Sequence, residues 1–361
     1  MRVYILSTAV APLSSGFGGG VEHMVIAAAR ALHALGYAVQ VIAPTGSKAE
    51  VPDLRILPGL LAPTALTLDY DDPLPIEAAA FLNAAVRELA QQARPGDVVL
   101  NFSYDWLPLF VSDFFPCPLA TLVSMGSLNR SLDQEIRRVA ECDPKRLAFL
   151  SAAQALSFGL SGAMRLIPPG VEMARYPYNA RPERAICWLG RIVPEKGLDD
   201  VFAVASRTGQ AVTVFGVLQD RVYWEDLVRR HPGVPVCYGG FLKMPALAEM
   251  VGQFRVLLMT PKCFEAFGVV GIEALACGTP VVAYRRGGIS DYVIDGETGW
   301  LIAPDDLDSL CTAVGEVERI DRAHCRRLVE NRYTRNRYGA ALAEWIETLA
   351  AGSAHSTVVT R

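Results

Sequence analysis

The chain has few of the features that mark metal, membrane or nucleic-acid proteins. Its eight cysteines are scattered and form no Cys-x-x-Cys pair, which argues against a zinc site and against thioredoxin-like chemistry. No apolar run reaches the ~18 residues that span a bilayer. The formal net charge is −4, so the general basic field that attracts nucleic acid is missing. The first apolar run follows a lone Arg2 without a cleavage-like pattern, and we therefore expect a cytoplasmic protein with reduced thiols.

Apolar residues, in contrast, are abundant. They make up 51% of the chain against 20% charged residues, which predicts a folded protein with large cores. A length of 361 residues is long for one domain and suits two.

Strand-like and helical segments alternate in both halves of the chain. The first strand (Val3–Thr8), a glycine-rich loop, a helix (Val21–Leu35) and a second strand (Ala38–Ala43) form a β-α-β unit. Further helices are predicted at 76–93, 197–207, 221–231 and 245–254. Such alternation predicts an α/β fold with parallel sheets covered on both faces.

A stretch rich in proline and glycine, residues 166–178, interrupts this pattern before it restarts. We therefore predict an N-terminal Rossmann-like domain at 1–168 and a C-terminal one at 169–331. In residues 332–361 a long helix, from about Arg332 to Ala350, is expected to cross back to the first domain, and a polar tail to follow it.

The segment Phe264–Ala274 has the most informative pattern. Glu265 and Glu273 are separated by seven residues, with Phe267-Gly268 between them and a helix predicted to follow. Free amides at a helix N-terminus suit a phosphate, and carboxylates that accept hydroxyl hydrogen bonds suit a ribose or a hexose. On a single helix the two glutamates would stand about 80° apart. The alternative is a surface loop and helix with two solvated acids.

Two further loops indicate phosphate chemistry. Arg191 follows a predicted strand and Lys196 precedes the next helix, so that two cations can clamp a diphosphate; otherwise this is an exposed loop with routine charges. The loop Gly16–Gly20 lies before the first helix. Val21 stands where a dinucleotide fingerprint has its third glycine, which weakens a dehydrogenase interpretation. The loop's amides can instead approach a phosphate or sugar, or the loop is only a flexible connection.

In order, these elements, with Gly278-x-Pro280 and Gly287-Gly288 after them, resemble the retaining glycosyltransferases of family 4 over nearly the whole chain. The resemblance implies the GT-B fold, two Rossmann-like domains facing each other across a cleft. It also implies that the N-terminal domain (1–168) binds the acceptor and that the C-terminal domain (169–331) binds the nucleotide sugar. It implies that Arg191 and Lys196 bind the donor pyrophosphate, that Glu265 binds the sugar hydroxyls, and that Glu273 binds the ribose. We take Arg191, Lys196 and Glu265 as the catalytic residues. The other donor-binding residues that it implies are Gly18, Gly19, Gly20, Phe241, Leu242, Ala266, Phe267, Gly268 and Val269.

The acceptor side departs from this family. Met125 stands where many members have a histidine that touches the sugar. Tyr104 and Asp105 follow another predicted strand, where α/β sheets bind ligands, and they complete the candidate acceptor residues. Phe102, Tyr104 and Trp106 either stack on a flat acceptor or belong to the core.

The expected reaction is transfer of a hexose, glucose from UDP-glucose, to a hydroxyl with retention of configuration. No cofactor and no metal are expected, since Arg and Lys take the metal's role and no Asp-x-Asp triplet stands at a strand end. The opening Ser7–Glu22 is similar to cyanobacterial pteridine glucosyltransferases, which implies a pterin acceptor such as tetrahydrobiopterin.

Three alternatives remain open for the function: a transferase of cell-surface polysaccharide or glycolipid synthesis, a GT-B nucleotide-sugar epimerase, and a non-catalytic nucleotide-sugar binding protein. The arginine run Arg322–Arg337 also has two interpretations, peripheral contact with anionic lipid or a solvated helix face.

Overall fold

The chain folds into two units and passes from one to the other twice. One hydrogen bond joins the two segments in which it passes. The computed structural model describes residues 1–75, 77–243 and 246–356, with side chains up to residue 352. Unit 1 comprises Met1–Gly170 and the chain from Arg335 onward, and unit 2 comprises Val171–Thr334. The sequence places the divisions at 168/169 and 331/332. The observed divisions lie slightly later, after Gly170 and after Thr334. The reason is that the Val171 amide donates to the Tyr333 carbonyl (2.8 Å), which keeps both residues in unit 2.

Unit 1 contains a six-stranded sheet in the order β3-β2-β1-β4-β5-β6, and every pairing is parallel. Its strands are β1 (Arg2–Leu6), β2 (Ala38–Pro44), β3 (Leu54–Leu57), β4 (Val98–Asn101), β5 (Leu119–Val123) and β6 (Leu147–Phe149). Its first helices are α1 (Gly20–Ala34), α2 (Phe81–Gln92), α3 (Trp106–Val111), α4 (Arg130–Cys142) and α5 (Ala152–Ser157).

Unit 2 repeats this arrangement with the order β12-β11-β10-β7-β8-β9, again all parallel. Its strands are β7 (Arg184–Leu189), β8 (Val212–Phe215), β9 (Val236–Gly240), β10 (Phe254–Met259), β11 (Val281–Tyr284) and β12 (Gly299–Ile302). Its helices are α6 (Leu198–Thr208), α7 (Arg221–Arg230), α8 (Ala246–Gly252), α9 (Val269–Ala276), α10 (Leu307–Glu316) and α11 (Arg322–Arg332). The predicted α/β fold with two parallel sheets is confirmed.

The last helix, α12 (Arg335–Ser356), packs against α1 within unit 1. Gly339 permits the close approach, since a Cβ there would lie 2.6 Å from the Cβ of Ala31. Trp345 is fully buried and its Nε1 donates to the Lys145 carbonyl (2.7 Å). Within the described residues, no helix is long and apolar enough to cross a membrane.

Several predicted boundaries were wrong. The helix predicted from Ile76 begins at Phe81; Ile76 itself, like Pro245 at the start of the helix predicted over 245–254, lies outside the described residues. The last helix begins at Arg335 because α11 ends at Arg332 and the Val171 pairing follows. Strands β3 and β12 and helices α3, α4, α5 and α10 were not predicted. The two strands have only four residues each and α3 six, too few for a clear hydrophobic period.

Each sheet reverses its strand order at one place. In unit 1 this switch lies between β1 and β4, and in unit 2 between β7 and β10. Open parallel sheets bind ligands at such a switch, outside the carboxyl ends of the strands. The predicted glycine loop and Tyr104 follow β1 and β4, while Arg191 and Glu265 follow β7 and β10, so both sets of predicted residues lie at switch points.

Candidate active site

In unit 2 the loops that follow β7 and β10 are hydrogen-bonded to each other. The Thr260 hydroxyl donates to the Gly197 carbonyl (2.8 Å), and the amides of Lys262 and Cys263 both donate to the Glu195 carbonyl (2.9 and 3.3 Å). Gly197 has a φ of 69°, and a Cβ there would lie 1.9 Å from the Thr260 carbonyl oxygen. Only glycine therefore fits this approach, which fixes the position of the neighbouring Lys196.

Lys196 forms an ion pair with Glu265 across this junction. Its Nζ lies 2.6 Å from the Glu265 Oε2, and the two side chains are only 22% and 20% exposed. Burial lowers the pKa of Lys196, but the charge of Glu265 and its hydrogen bond raise it by more, so the pKa lies above its ordinary value. The structure therefore brings together two of the three predicted catalytic side chains, and the lysine stays cationic.

Arg191 stands beside this pair. Its Nη1 donates to the Gln219 Oε1 (3.0 Å), and its Nη2 lies 3.6 Å from the Glu195 Oε1. The charge of Arg191 lowers the pKa of Lys196, which shows that the two cations are within electrostatic range. Two cations at one switch point form a suitable binding site for a diphosphate.

The loop that carries Glu265 is closed by the two glycines of the Gly287-Gly288 pair. The Gly288 amide donates to the Glu265 carbonyl (2.9 Å). Gly287 has a φ of 70°, and a Cβ there would lie 2.0 Å from the same carbonyl oxygen. These glycines therefore allow the chain to pass directly against the backbone of Glu265.

Helix α9 begins directly after Gly268, which caps it with a left-handed backbone (φ 81°). The buried Tyr292 hydroxyl donates to the Gly268 carbonyl (2.8 Å), and the Phe267 ring packs against Tyr292 with ring centroids 5.2 Å apart. Phe267 is fully buried, so its ring is not available to a ligand. Within residues 1–75, 77–243 and 246–356, no acceptor contacts the amides of Phe267 and Gly268. These amides, with Val269 opening the helix, suit an anion.

The two glutamates do not share a helix, so the predicted angle of 80° between them does not apply. Glu265 precedes α9, whereas Glu273 lies within it. Glu273 is buried (7% exposed) and accepts a hydrogen bond from the Tyr176 hydroxyl at 2.9 Å. Burial first, and then the Glu273 charge, raises the pKa of Tyr176 well above its ordinary value.

The loop with the donor-binding candidates Phe241 and Leu242 follows β9, the outermost strand on that side of the sheet. The Tyr238 hydroxyl donates to the Gly216 carbonyl (2.8 Å), and a Cβ on Gly239 would lie 2.3 Å from the Phe215 ring. Phe241 is 43% exposed and Leu242 is half-buried. In the sheet, one strand, β8, lies between β9, which leads into this loop, and β7, which Arg191 follows.

In unit 1 an internal carboxylate occupies the predicted glycine loop. Glu22 is buried and accepts hydrogen bonds from the amides of Gly18 (2.6 Å) and Gly16 (3.2 Å) and from the Ser15 hydroxyl (3.0 Å). The Gly18 amide is therefore already bonded and is not available to a phosphate. For Gly19 and Gly20, at the start of α1, donor binding stays a prediction.

The candidate acceptor residues lie at the ends of the neighbouring strands β4 and β5. The Tyr104 hydroxyl donates to the Gly126 carbonyl (2.9 Å), next to the half-buried Met125. Asp105 caps α3 by accepting from the Leu107 amide (2.9 Å), and burial raises the pKa of its carboxyl. Phe102 is fully buried, so it belongs to the core and cannot stack on an acceptor.

The comparisons with known proteins agree with this geometry. Residues 177–335 match the family model "Glycosyl transferases group 1". D-inositol 3-phosphate glycosyltransferase 2 of Catenulispora acidiphila is 27% identical over 87% of this chain and 86% of its own. The glycosyltransferase AviGT4 of avilamycin A biosynthesis has a TM-score of 0.72 at 18% identity, with 98% of both chains covered. Anabaena HepE, solved with UDP-glucose, has a TM-score of 0.73 at 17% identity, with 97% of this chain and all of its own covered.

The chain has the GT-B fold of these glycosyltransferases, and residues 177–335 resemble the group 1 family. The family match spans Arg191, Lys196, Glu265 and Glu273, whereas the donor-binding candidates Gly18, Gly19 and Gly20 lie outside it. Their individual roles, and those of the acceptor candidates, remain predictions.

At two half-buried members, Arg322 and Arg326, the arginine run is neither a lipid-binding nor a solvated face. Arg322 donates to the carbonyls of Asn179, Phe254 and Gly252 and to the Thr279 hydroxyl. Arg326 donates to the carbonyls of Tyr176 and Ala276. Both guanidinium groups join unit 2 segments that are distant in sequence, and helical spacing alone did not reveal this.

Sequence reasoning also missed residues that shape the site without belonging to a motif. Tyr176 and Glu22 bond the predicted residues Glu273 and Gly18, and Thr260 bonds Gly197, the neighbour of Lys196. Asp133 is fully buried beside the acceptor candidates and accepts from the hydroxyls of Ser127 (2.6 Å) and Tyr70 (3.0 Å). The signal was weak in each case, since a single polar residue in a loop or a first helical turn has many uses.

Proposed function

We propose that this protein is a glycosyltransferase that moves a hexosyl group, glucose from UDP-glucose in the first instance, to a hydroxyl of a small acceptor with retention of configuration. The ion pair between Lys196 and Glu265 carries the proposal. It places a cation suited to a phosphate within 2.6 Å of a carboxylate suited to sugar hydroxyls, at the switch point where parallel sheets bind ligands.

The donor's parts have separate partners under this proposal. Arg191 and Lys196 bind the diphosphate, Glu265 binds the hexose hydroxyls, and Glu273 binds the ribose. The amides before α9 add donors for the anion. The complex of HepE with UDP-glucose supports this choice of donor, because that protein shares the fold.

In the proposed reaction the bond between the anomeric carbon and the β-phosphate oxygen breaks, and the acceptor oxygen bonds to that carbon on the same face. The acceptor's proton passes to the departing phosphate oxygen. Negative charge develops on the diphosphate, where Arg191 and Lys196 stabilise it in a preorganised site. Retention by two displacements would need a carboxylate nucleophile, and Glu265 has another role here. Metal independence belongs to the proposal and is tested by turnover in EDTA.

Two acceptor classes compete. The opening of the chain supports a pterin such as tetrahydrobiopterin, with Tyr104, Asp105 and Met125 around it. An inositol phosphate is the second candidate, because D-inositol 3-phosphate glycosyltransferase 2 matches over 87% of this chain.

The test is incubation with UDP-glucose and each acceptor, followed by measurement of released UDP and of a new glycoside. Both products together support the proposal. Donor turnover without an acceptor would indicate an epimerase, and binding of UDP-glucose without any turnover would indicate a non-catalytic binding protein. GDP-mannose is included as a donor because one relative, a phosphatidylinositol monomannoside mannosyltransferase of Mycolicibacterium smegmatis (30% identical, 45% of this chain and 49% of its own), depends on it.

A further inference from the structure

The hydrogen bond between Tyr176 and Glu273 is not explained by any of the motifs. The tyrosine lies in the segment that opens unit 2, 97 residues before the glutamate, and its hydroxyl reaches the Glu273 Oε1 at 2.9 Å. Both side chains are buried, with 5% and 7% exposed. A buried carboxylate needs hydrogen-bond donors, and this tyrosine supplies one of them to the residue proposed to bind the ribose.

The backbone of Tyr176 is held in place independently of that bond. Its carbonyl accepts from the Arg326 Nη1 (2.7 Å), and the same nitrogen donates to the Ala276 carbonyl (2.8 Å). Three residues later, the Asn179 amide donates to the Cys277 carbonyl (3.1 Å). The segment therefore runs along the last turn of α9, the helix that carries Glu273, and its position does not depend on the glutamate's rotamer.

A fixed tyrosine next to a flexible glutamate restricts the glutamate. A free glutamate side chain would have to lose rotamer freedom when a ligand binds, and a site whose ligands are already oriented avoids that cost. A carboxylate accepts several hydrogen bonds at once, so the tyrosine bond is compatible with hydroxyls of a ligand. Burial keeps the pKa of Tyr176 well above its ordinary value, so it remains a donor at neutral pH.

We propose that Tyr176 is a positioning residue that holds the Glu273 carboxylate in the orientation that accepts the ribose hydroxyls of the donor nucleotide. This inference rests on the proposed function, which assigns the ribose to Glu273. It adds a specificity determinant that selects nucleotides with a ribose over those without its hydroxyls.

The experiment measures dissociation constants by calorimetry for the tightest-binding of UDP, GDP and ADP and for its 2′,3′-dideoxy counterpart. The variants are Tyr176→Phe and Glu273→Gln. Tyr178→Phe is the matched control, since Tyr178 lies two residues further along the same segment and its ring is 42% exposed. Thermal unfolding of each variant checks that the fold is kept.

We expect Tyr176→Phe to weaken binding of the ribonucleotide about tenfold, the loss of one charge-assisted hydrogen bond, and to leave the dideoxy form unchanged. Glu273→Gln should reduce the same discrimination, and Tyr178→Phe should keep it. If the ratio of the two dissociation constants in Tyr176→Phe equals the wild-type ratio, the inference is overturned. This includes the case in which both nucleotides bind more weakly by the same factor.

The experiment distinguishes failure of the inference about Tyr176 from failure of the proposed function. A wild type that does not discriminate the two nucleotides would remove the ribose role of Glu273 and this inference with it, while glycosyl transfer from UDP-glucose would still be observed. Absence of both nucleotide binding and transfer would instead overturn the proposed function itself.

Discussion

Lys196 Nζ and Glu265 Oε2 lie 2.6 Å apart, although 69 residues separate them in the chain. Each ends up there because its loop leaves the carboxyl end of one of the two strands that flank the switch point, β7 and β10. The pair balances charge in the structure described here. A bound donor would give each group a second partner, a phosphate for the ammonium and hydroxyls for the carboxylate.

Replacing Lys196 by Ala should lower kcat/KM by about 10²–10³-fold, since one preorganised contact to the leaving group's developing charge is lost. The rate of UDP release with the identified acceptor measures this. Lys145→Ala, which removes an exposed lysine of unit 1, serves as the control and should keep wild-type turnover. Near-normal turnover of Lys196→Ala would show that the lysine is not part of the machinery.

Gly197→Ala should destabilise unit 2 much more than Gly209→Ala. Both glycines have positive φ angles (69° and 67°), so the backbone strain is similar. A Cβ at Gly197 would lie 1.9 Å from the Thr260 carbonyl oxygen, whereas none of the described atoms lies within 4 Å of a Cβ at Gly209. The melting temperatures of the two variants measure the steric part alone, and equal losses would contradict the packing described for the two loops.

Arg322→Ala should cost about 3 kcal/mol of unfolding free energy, because several buried acceptors lose their donor at once. Arg327→Ala is the matched control on the same helix: its side chain is 55% exposed and pairs with Asp321, so its loss should stay within ~0.5 kcal/mol. Urea unfolding of both variants gives the comparison. Similar small losses would restore the interpretation of this run as a solvated face.

Asp105 should make wild-type stability depend on pH in the acidic range. Burial raises the pKa of the folded carboxyl above 3.8, so the unfolded chain releases this proton first as the pH rises. The group's contribution is therefore fully present below pH 3.8 and declines as the pH increases towards the folded pKa. Asparagine caps a helix as well as aspartate, so Asp105→Asn should keep α3 and remove this decline.

The unfolding free energies of wild type and Asp105→Asn, measured between pH 3 and pH 7, test that sign. If the difference between the two unfolding free energies is constant over this pH range, the predicted pH dependence is wrong. Turnover of the same variant separates the two roles of Asp105, because a pure helix cap keeps full activity with asparagine.

The sequence predicted the fold class because buried parallel strands read as short apolar runs between amphipathic helices, a local signal. It did not predict β12 or α3, which are too short to show a period. It predicted Arg191, Lys196, Glu265 and Glu273 as candidates because their spacing around glycines and strand ends is itself informative. It missed that Glu22 occupies the Gly18 amide, since a carboxylate in a first helical turn has several possible partners.

By itself, then, the sequence determined which residue types stand after which strands, and with them the α/β class and the candidates for binding a diphosphate and a sugar. Only the tertiary structure decided which of these groups meet. The strand order places β10 beside β7 and so joins Lys196 to Glu265, and the packing of the first segment of unit 2 along α9 joins Tyr176 to Glu273. Both contacts link residues at least 69 positions apart, and contacts of that kind follow from which elements pack together, a global property that no local pattern contains.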